Sequence, residues 1–329
     1  MRRARTERGN YKKYVITSIV IALLIAAILL GLFIWEKNSK GTLAVDENNK
    51  VLTYEGKEYA INGNIETFLI MGLDKFDGDI DQSSYNNDQQ SDFLMLVVFD
   101  KEAKTYSVLH INRDTMATMD VLGIGGKKVG TVQKQIALAH TYGDGGATSN
   151  NNAAKAVSTL LGGIKVNHYA AFTLDSVAVM NDLVGGVEVE VLHDFSGVDD
   201  TLVKGETVLL EGDMALTYVR TRKDLDDSTN NTRMIRQQQY LDALREKMEK
   251  RMEEDSEFAA RAALAMADYM TSDCSATRLR DMAKRMEEYD FVQVRQLEGE
   301  TKLGKKHIEF YPDERALKET VIDLFYVEK

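Results

Sequence analysis

The sequence predicts an α/β fold, an α-β-α sandwich with a mixed central sheet, preceded by a single N-terminal transmembrane helix. Three observations predict it. Strand-like and helix-like segments alternate after residue 64. Apolar runs such as ETFLIMGL and DFLMLVVFD have the length of buried strands rather than of helices. VITSIVIALLIAAILLGLFIW, Val15 to Trp35, carries no charge and no proline. At about 1.5 Å per residue that run spans roughly 30 Å, the thickness of a hydrocarbon layer.

The 329 residues can bury a sizeable core, as one large domain or two small ones. A net charge of -11 argues against a nucleic-acid partner. The charge is unevenly spread, because Arg2, Arg3, Arg5, Arg8, Lys12 and Lys13 stand against one acid, Glu7. A cleaved signal peptide would explain an N-terminal apolar run, but this one exceeds the usual length and no small-x-small site follows it. The positive-inside rule keeps the basic segment 1–13 in the cytoplasm. The expected order is therefore a membrane anchor at 14–35, a stalk and hairpin at 36–63, and one extracytoplasmic domain at 64–329. Residues 256–329 would extend that domain. Cys274, the single cysteine, excludes an internal disulfide and reads as an ordinary buried residue.

Along the chain, KVLTYEGKEYAING alternates around Glu55-Gly56 and predicts a hairpin. ETFLIMGL predicts a buried strand, and DFLMLVVFD and KTYSVLHIN an antiparallel pair. The spacing in KVGTVQKQIALAHTYG predicts a helix, and NNNAAKAVSTLLGG a helix opened by an asparagine cap and closed by glycines. YGDGGATSN lacks the Lys-Ser/Thr of a nucleotide loop and reads as the loop before that cap. HYAAFTL and VEVEVLHD predict strands, with the helix DSVAVMNDLVGG between them. ALTYVRTR reads as β-like, and TRMIRQQQYLDALREKMEKRM as a long helix. Helices near 256–270 and 275–288, strands FVQVRQL and HIEFY, and a helix in DERALKETVIDLFY complete the order.

An acidic chain that places Arg220, Arg222, Arg233 and Arg236 within 17 positions invites two readings. They pair with local acids such as Asp224, Asp226 and Asp227, or they converge on a doubly charged anion. In an extended YVRTR, Arg220 and Arg222 share a face. In a helix, Arg233, Arg236 and Gln237 share another. Forked, permanently charged donors beside a helix N-terminus suit phosphate. Arg113, in HINRDT, lies at another strand end. Asp74 in MGLD and Asp92 in QQSD fall at adjacent strand ends if their strands pair. They serve as counterions to the arginines or hold Mg²⁺, which takes one or two carboxylates alongside phosphate oxygens. The scattered His110, His140, His168, His193 and His307 offer no zinc site and read as structural.

GLD, QQSD, HINRDT, LVGGVEVEV, GETVLLEGDMALTYVRTR and R-x-x-RQQ stand in the order and spacing of the LytR-CpsA-Psr family, which the chain resembles over roughly residues 64–250. That resemblance implies a membrane-anchored phosphotransferase working outside the cell. It would move a glycopolymer, teichoic acid or capsular polysaccharide, from a polyprenyl pyrophosphate carrier to a peptidoglycan acceptor with Mg²⁺. It implies that Asp74 and Asp92 hold the metal, and that Arg113, Arg220, Arg222, Arg233, Arg236 and Gln237 grip the pyrophosphate. Asp74, Asp92 and Arg113 would be the catalytic set, with Asp92 or Asp74 accepting the proton of the acceptor hydroxyl. Three positions depart from the family pattern: Gln90 where arginine is usual, Asn112 where proline is frequent, and Asn230 where an acid is common. Gln90 neutralises no charge, so a non-catalytic binder of polyprenyl-pyrophosphate lipids stands as the alternative, and a hydrolase as a third reading. Helices rich in alanine, valine and leucine could line a slot for the lipid tail, but read first as ordinary core.

Overall fold

The computed structural model describes residues 51–75, 86–222, 225, 230–255, 257–305 and 307–329. The expected anchor at 14–35, the basic segment before it and most of the stalk lie outside these residues. So does most of the loop carrying Asp224, Asp226 and Asp227. No helix among the described residues is long and apolar enough to cross a membrane.

β1 (Val51–Tyr54) and β2 (Lys57–Ile61) form the expected hairpin, with Tyr54 opposite Lys57. β3 (Ile65–Lys75), β4 (Gln89–Asp100) and β5 (Thr105–Ile111) run antiparallel to one another. Their apolar residues leave water on both faces, as continuous rather than alternating runs require. One face carries Leu69, Met71, Leu94, Leu96, Leu109 and Ile111 into the main core.

β6 (Met116–Leu122) and β7 (Lys128–Gln135) make a second hairpin. Here the sequence expectation fails, since residues 128–143 are a strand followed by the 3-10 turn Ile136–Thr141 rather than a helix. Val129, Val132 and Ile136 have helical spacing, but Gly130 weakens a helix, the β-branched residues suit a strand, and pairing with β6 decides. α1 (Ala147–Leu160) starts earlier than expected. Its cap is not an asparagine. The Asp144 carboxylate accepts from the N–H groups of Gly146 and Thr148, at 2.8 and 3.2 Å, while Asn150 and Asn152 are buried inside the helix. Asn152 donates to the carbonyls of Asp120 and Ala139 and so fastens α1 to β6.

The remaining elements are β8 (His168–Thr173), α2 (Ser176–Leu183), β9 (Val187–Glu190), β10 (Thr207–Leu210), α3 (Asp213–Arg220), α4 (Asn230–Glu254), α5 (Phe258–Met266), β11 (Met270–Ser272), α6 (Ala276–Glu288), β12 (Asp290–Gln296), β13 (Gly299–Leu303), β14 (Ile308–Pro312), α7 (Glu314–Phe325) and β15 (Tyr326–Glu328). The largest sheet has six strands in the order β11-β8-β3-β4-β5-β12. The architecture is mixed α/β. Among the described residues two compact units result, Thr173–Met270 with Cys274–Phe291, and 51–172 with Thr271–Asp273 and Val292–Lys329. The chain contributes more than one segment to each, so no single cut in the sequence separates them.

α3 corrects a second expectation. ALTYVRTR is not a strand, because Ala215, Tyr218 and Val219 turn a buried face inward at helical spacing and Asp213 sits in the first turn. Thr221 then returns to extended backbone at φ -59°, ψ 134°. Arg220 is thus the last helical residue and Arg222 the second beyond it, so strand alternation does not set their directions.

Candidate functional site

In the sheet-bearing unit, the site residues stand where β3 and β4 end together. Asp74 pairs across the strands with Gln90, and Leu73 with Ser91. Between Ser91 and Phe93 the register shifts, since Gly72 faces Phe93, and Asp92 is the extra residue of a β-bulge. The bulge reverses the strand's alternation. Leu94 and Leu96 face the main core before it, whereas beyond it Ser91 takes that side, its hydroxyl 3.9 Å from the Met71 sulfur. Gln90 and the opposite Asp74 therefore share the other face.

Arg113 closes the group. Its Nη1 donates to Asp92 Oδ1, and its Nη2 donates to Gln90 Oε1 at 2.8 Å. Nε lies 3.5 Å from Asp114 Oδ1. Arg113, Asp92 and Gln90 are all buried. The backbone beneath is fixed as firmly. The Asn112 side chain accepts the Asp114 N–H at 2.9 Å, its carbonyl accepts the Thr115 N–H at 3.0 Å, and the Arg113 carbonyl accepts the Ala137 N–H at 3.1 Å. Asn112 thus builds by hydrogen bonding the tight turn that proline would build by ring closure. Gln135, which the sequence did not single out, donates to Asp114 Oδ1 at 2.8 Å and to the Ile308 carbonyl at 2.6 Å.

The acids, together with the Gln90 amide oxygen, offer oxygen donors only. That chemistry fits a hard cation such as Mg²⁺ and not a thiophilic one. Asp74 is half-buried, Asp92 buried.

In the helical unit, α4 carries its expected residues on one side but gives them different tasks. Arg236 is 0 % exposed. Its Nε donates to the Tyr218 carbonyl at 2.9 Å, its Nη2 donates to the Thr221 carbonyl, and its Nη1 is 3.4 Å from His193 Nδ1. The guanidinium lies 5.4 Å from the centroid of Phe195, which itself stacks on Tyr218. Gln237 donates to the Val219 carbonyl at 3.2 Å. Adjacent residues of α4 thereby hold carbonyls at the end of α3, where a helix lacks internal partners and favours positive charge. Gln239, also unforeseen, donates to the Glu190 carbonyl at 2.8 Å and accepts the Tyr218 hydroxyl, tying the same face to β9. Arg236 and Gln237 hold in place the segment that presents Arg220 and Arg222.

Arg220 is exposed and Arg222 half-buried. Arg233 is buried, its Nε and Nη2 donating to Asn230 Oδ1. Asn230 orients this guanidinium as an acid would, but brings no negative charge.

Two other features take structural roles. Asp144 occupies the N-terminus of α1, and its hydrogen bonds from Gly146, Thr148 and Ser149 outweigh burial and hold the carboxyl below its ordinary value. His140 is buried between the Gln89 carbonyl at 3.2 Å and Asn150 Oδ1 at 3.0 Å. Burial pushes its pKa down against both hydrogen bonds.

Known proteins resemble the chain over much of its length. TagU of Enterococcus faecalis, a polyisoprenyl-teichoic acid--peptidoglycan teichoic acid transferase, is 27 % identical over 239 residues, which is 71 % of this chain and 70 % of that protein. TagV of Bacillus subtilis, of the same description, is 30 % identical over 207 residues, 61 % of this chain but 46 % of TagV. A structure of TagT bound to LI-WTA shares the fold, with a TM-score of 0.56 at 22 % identity over 80 % of this chain and 90 % of that one. A model of the LytR_cpsA_psr family matches residues 30–324, nearly the whole sequence, and on that match the chain belongs to the LytR_cpsA_psr family.

Proposed function

We propose that the chain is a membrane-anchored transferase on the outer face of the cell membrane. Its substrate is a glycopolymer, teichoic acid or a capsular or secondary wall polysaccharide, carried on a polyprenyl pyrophosphate, and its acceptor is peptidoglycan. The helix at 14–35 anchors it with the N-terminus in the cytoplasm, and residues 64–329 form the catalytic α-β-α sandwich. The observation that carries this reading is the joining of Asp92, Gln90 and Arg113 on the face that also bears Asp74. Buried and half-buried oxygen donors beside a guanidinium are what a metal-assisted attack on a pyrophosphate needs.

In this reading Asp74 and Asp92 hold Mg²⁺, which when bound neutralises charge gathering on the pyrophosphate oxygens. Arg113, Arg220, Arg222 and Arg233 bind phosphate oxygens, while Arg236 and Gln237 keep α3 and its exit in position. The acceptor hydroxyl oxygen attacks the phosphorus bearing the glycopolymer. The bond from that phosphorus to the bridging oxygen breaks, and polyprenyl phosphate leaves. Asp92 or Asp74 takes the hydroxyl proton, and a phosphodiester joins polymer to acceptor.

One observation favours a second reading, a lipid-pyrophosphate binder without turnover. Gln90 fills the usual arginine position with a neutral amide whose oxygen accepts from Arg113. The test is full-length protein in proteoliposomes with a polyprenyl-pyrophosphate glycan, peptidoglycan fragments and Mg²⁺. A phosphodiester product that is lost with chelator and in Asp92→Asn supports transfer. Saturable binding with no product supports the binder, and free polymer phosphate without acceptor linkage supports hydrolysis.

A further inference from the structure

The β6–β7 hairpin ends in an aliphatic tip that nothing in its own unit covers. Ile124 is 96 % exposed and Val129 68 %. Gly125 and Gly126, at φ 75° and 72°, give the turn a backbone that side chains disfavour, and a Cβ on Gly125 would meet nothing within 4 Å. Val129 rests over Gly123, whose missing Cβ makes room for it. Lys127 and Lys128 flank the tip, and no acid occurs from residue 121 to residue 143 in a chain of net charge -11.

The base of the hairpin is braced. Asp120 is held by Lys128 at 2.7 Å and by Lys155 of α1 at 2.6 Å, and Asn152 donates to its carbonyl. At the tip, Gly126 lies against Thr148 of α1. A braced arm that displays an isoleucine beside lysines resembles an interfacial anchor, with aliphatic side chains entering the acyl boundary and ammonium groups meeting anionic headgroups.

We propose that the β6–β7 tip, through Ile124, Val129 and Lys127, dips into the anionic surface of a lipid bilayer. Two aliphatic side chains fall far short of the roughly 800 Å² per partner of a stable protein interface, whereas shallow lipid insertion needs no more. Residues 121–135 carry three lysines and no acid, so with Asp144 standing behind Thr148 the tip itself still supplies charge complementarity. The proposal rests on the membrane-anchor reading of residues 14–35, and its test separates the two.

Full-length Ile124→Cys, labelled with an environment-sensitive dye, is reconstituted in phosphatidylglycerol-rich vesicles with and without headgroup-proximal doxyl lipid. Wild type, whose Cys274 is buried, is the labelling blank. Leu303→Cys is the control, because Leu303 is 84 % exposed in a hairpin turned the other way. β14 runs parallel to the start of β6 at the Thr115–Phe310 bridge, so its turn lies at the opposite end. The expected result is at least twofold quenching at position 124 and none at 303, with the 124 signal falling in Lys127→Glu. Flotation with the vesicles but no quenching at 124 overturns the tip alone. Equal quenching at both positions also overturns it. A blue shift that depends on protein concentration rather than quencher assigns the tip to self-association and overturns it too. Failure to float overturns the anchor and the tip together.

Discussion

Replacing Arg236 separates a residue that holds the site from one that touches the ligand. Arg236→Met keeps most of the buried stem and its contact with Phe195, but removes the donors to the Tyr218 and Thr221 carbonyls. Hydrogen bonds from a charged donor contribute about 1.5–3 kcal/mol each, so losing two costs about 3–6 kcal/mol. Arg236→Lys keeps the charge but cannot span both carbonyls, and is expected to lose about half as much. The loss falls first on the exit of α3, where the Thr221 N–H donates to the Thr217 carbonyl at 3.1 Å. Native-state hydrogen exchange reads it directly. At the lower bound of about 3 kcal/mol, exchange at Thr221 should accelerate roughly 100-fold, if that amide exchanges through an opening that breaks both bonds. Pyrophosphate binding should weaken in parallel, since Arg220 and Arg222 lose their fixed approach. Lost binding with unchanged exchange across residues 213–222 would refute this reasoning and make Arg236 a ligand contact.

The exposed arginine gives the complementary result. Arg220→Ala should leave stability within about 0.5 kcal/mol in a urea melt, while pyrophosphate affinity measured by calorimetry falls at least tenfold. Gln90→Arg removes the acceptor of an Arg113 N–H and adds a second cation beside it. At about 4–5 Å and an effective dielectric near 20 the repulsion is about 3–4 kcal/mol before Asp92 offsets it. Its Tm should therefore drop without ligand and recover with pyrophosphate and Mg²⁺; equal melting in both conditions would argue against an anion at this position. His140 makes stability depend on pH. Burial keeps its folded pKa below the ordinary 6.5, so the unfolded chain binds the proton first as pH falls. Its contribution is complete above about pH 6.5 and shrinks as pH falls towards the folded value. Tm should thus decline from pH 7.5 to 5.5, and His140→Gln should flatten that decline.

What the sequence made legible follows from how local each signal was. β3, β4 and β5 were readable because whole runs such as LMLVVF are apolar, and α4 because its length admits no strand. Residues 128–135 were misread because helical spacing and strand pairing competed there, and the partner that decides, residues 116–122 just upstream, was not itself read as a strand. The cap of α1 was misplaced because asparagines, good caps in isolation, here serve buried partners, Asn152 two carbonyls and Asn150 the His140 ring and the Thr271 hydroxyl, while Asp144 does the capping. Among candidate site residues, the pairing of strands around Asp74 and Asp92 was foreseeable from two apolar runs ending in acids. The Arg113–Gln90–Asp92 junction was not, because it depends on one unpaired residue in a ladder. Nor was the division of labour on α4, where neighbouring R and Q letters look alike until burial distinguishes them.

The bulge at Asp92 makes this stretch of β4 far less tolerant of a change in register than of a change in identity. A one-residue slip that closed the bulge while keeping every residue would restore a regular pleat and turn the strand's end over, carrying Gln90 to the side of Leu94 and Leu96 and Ser91 towards Arg113. Such a slip would erase the junction while every residue type it requires was still present in the chain.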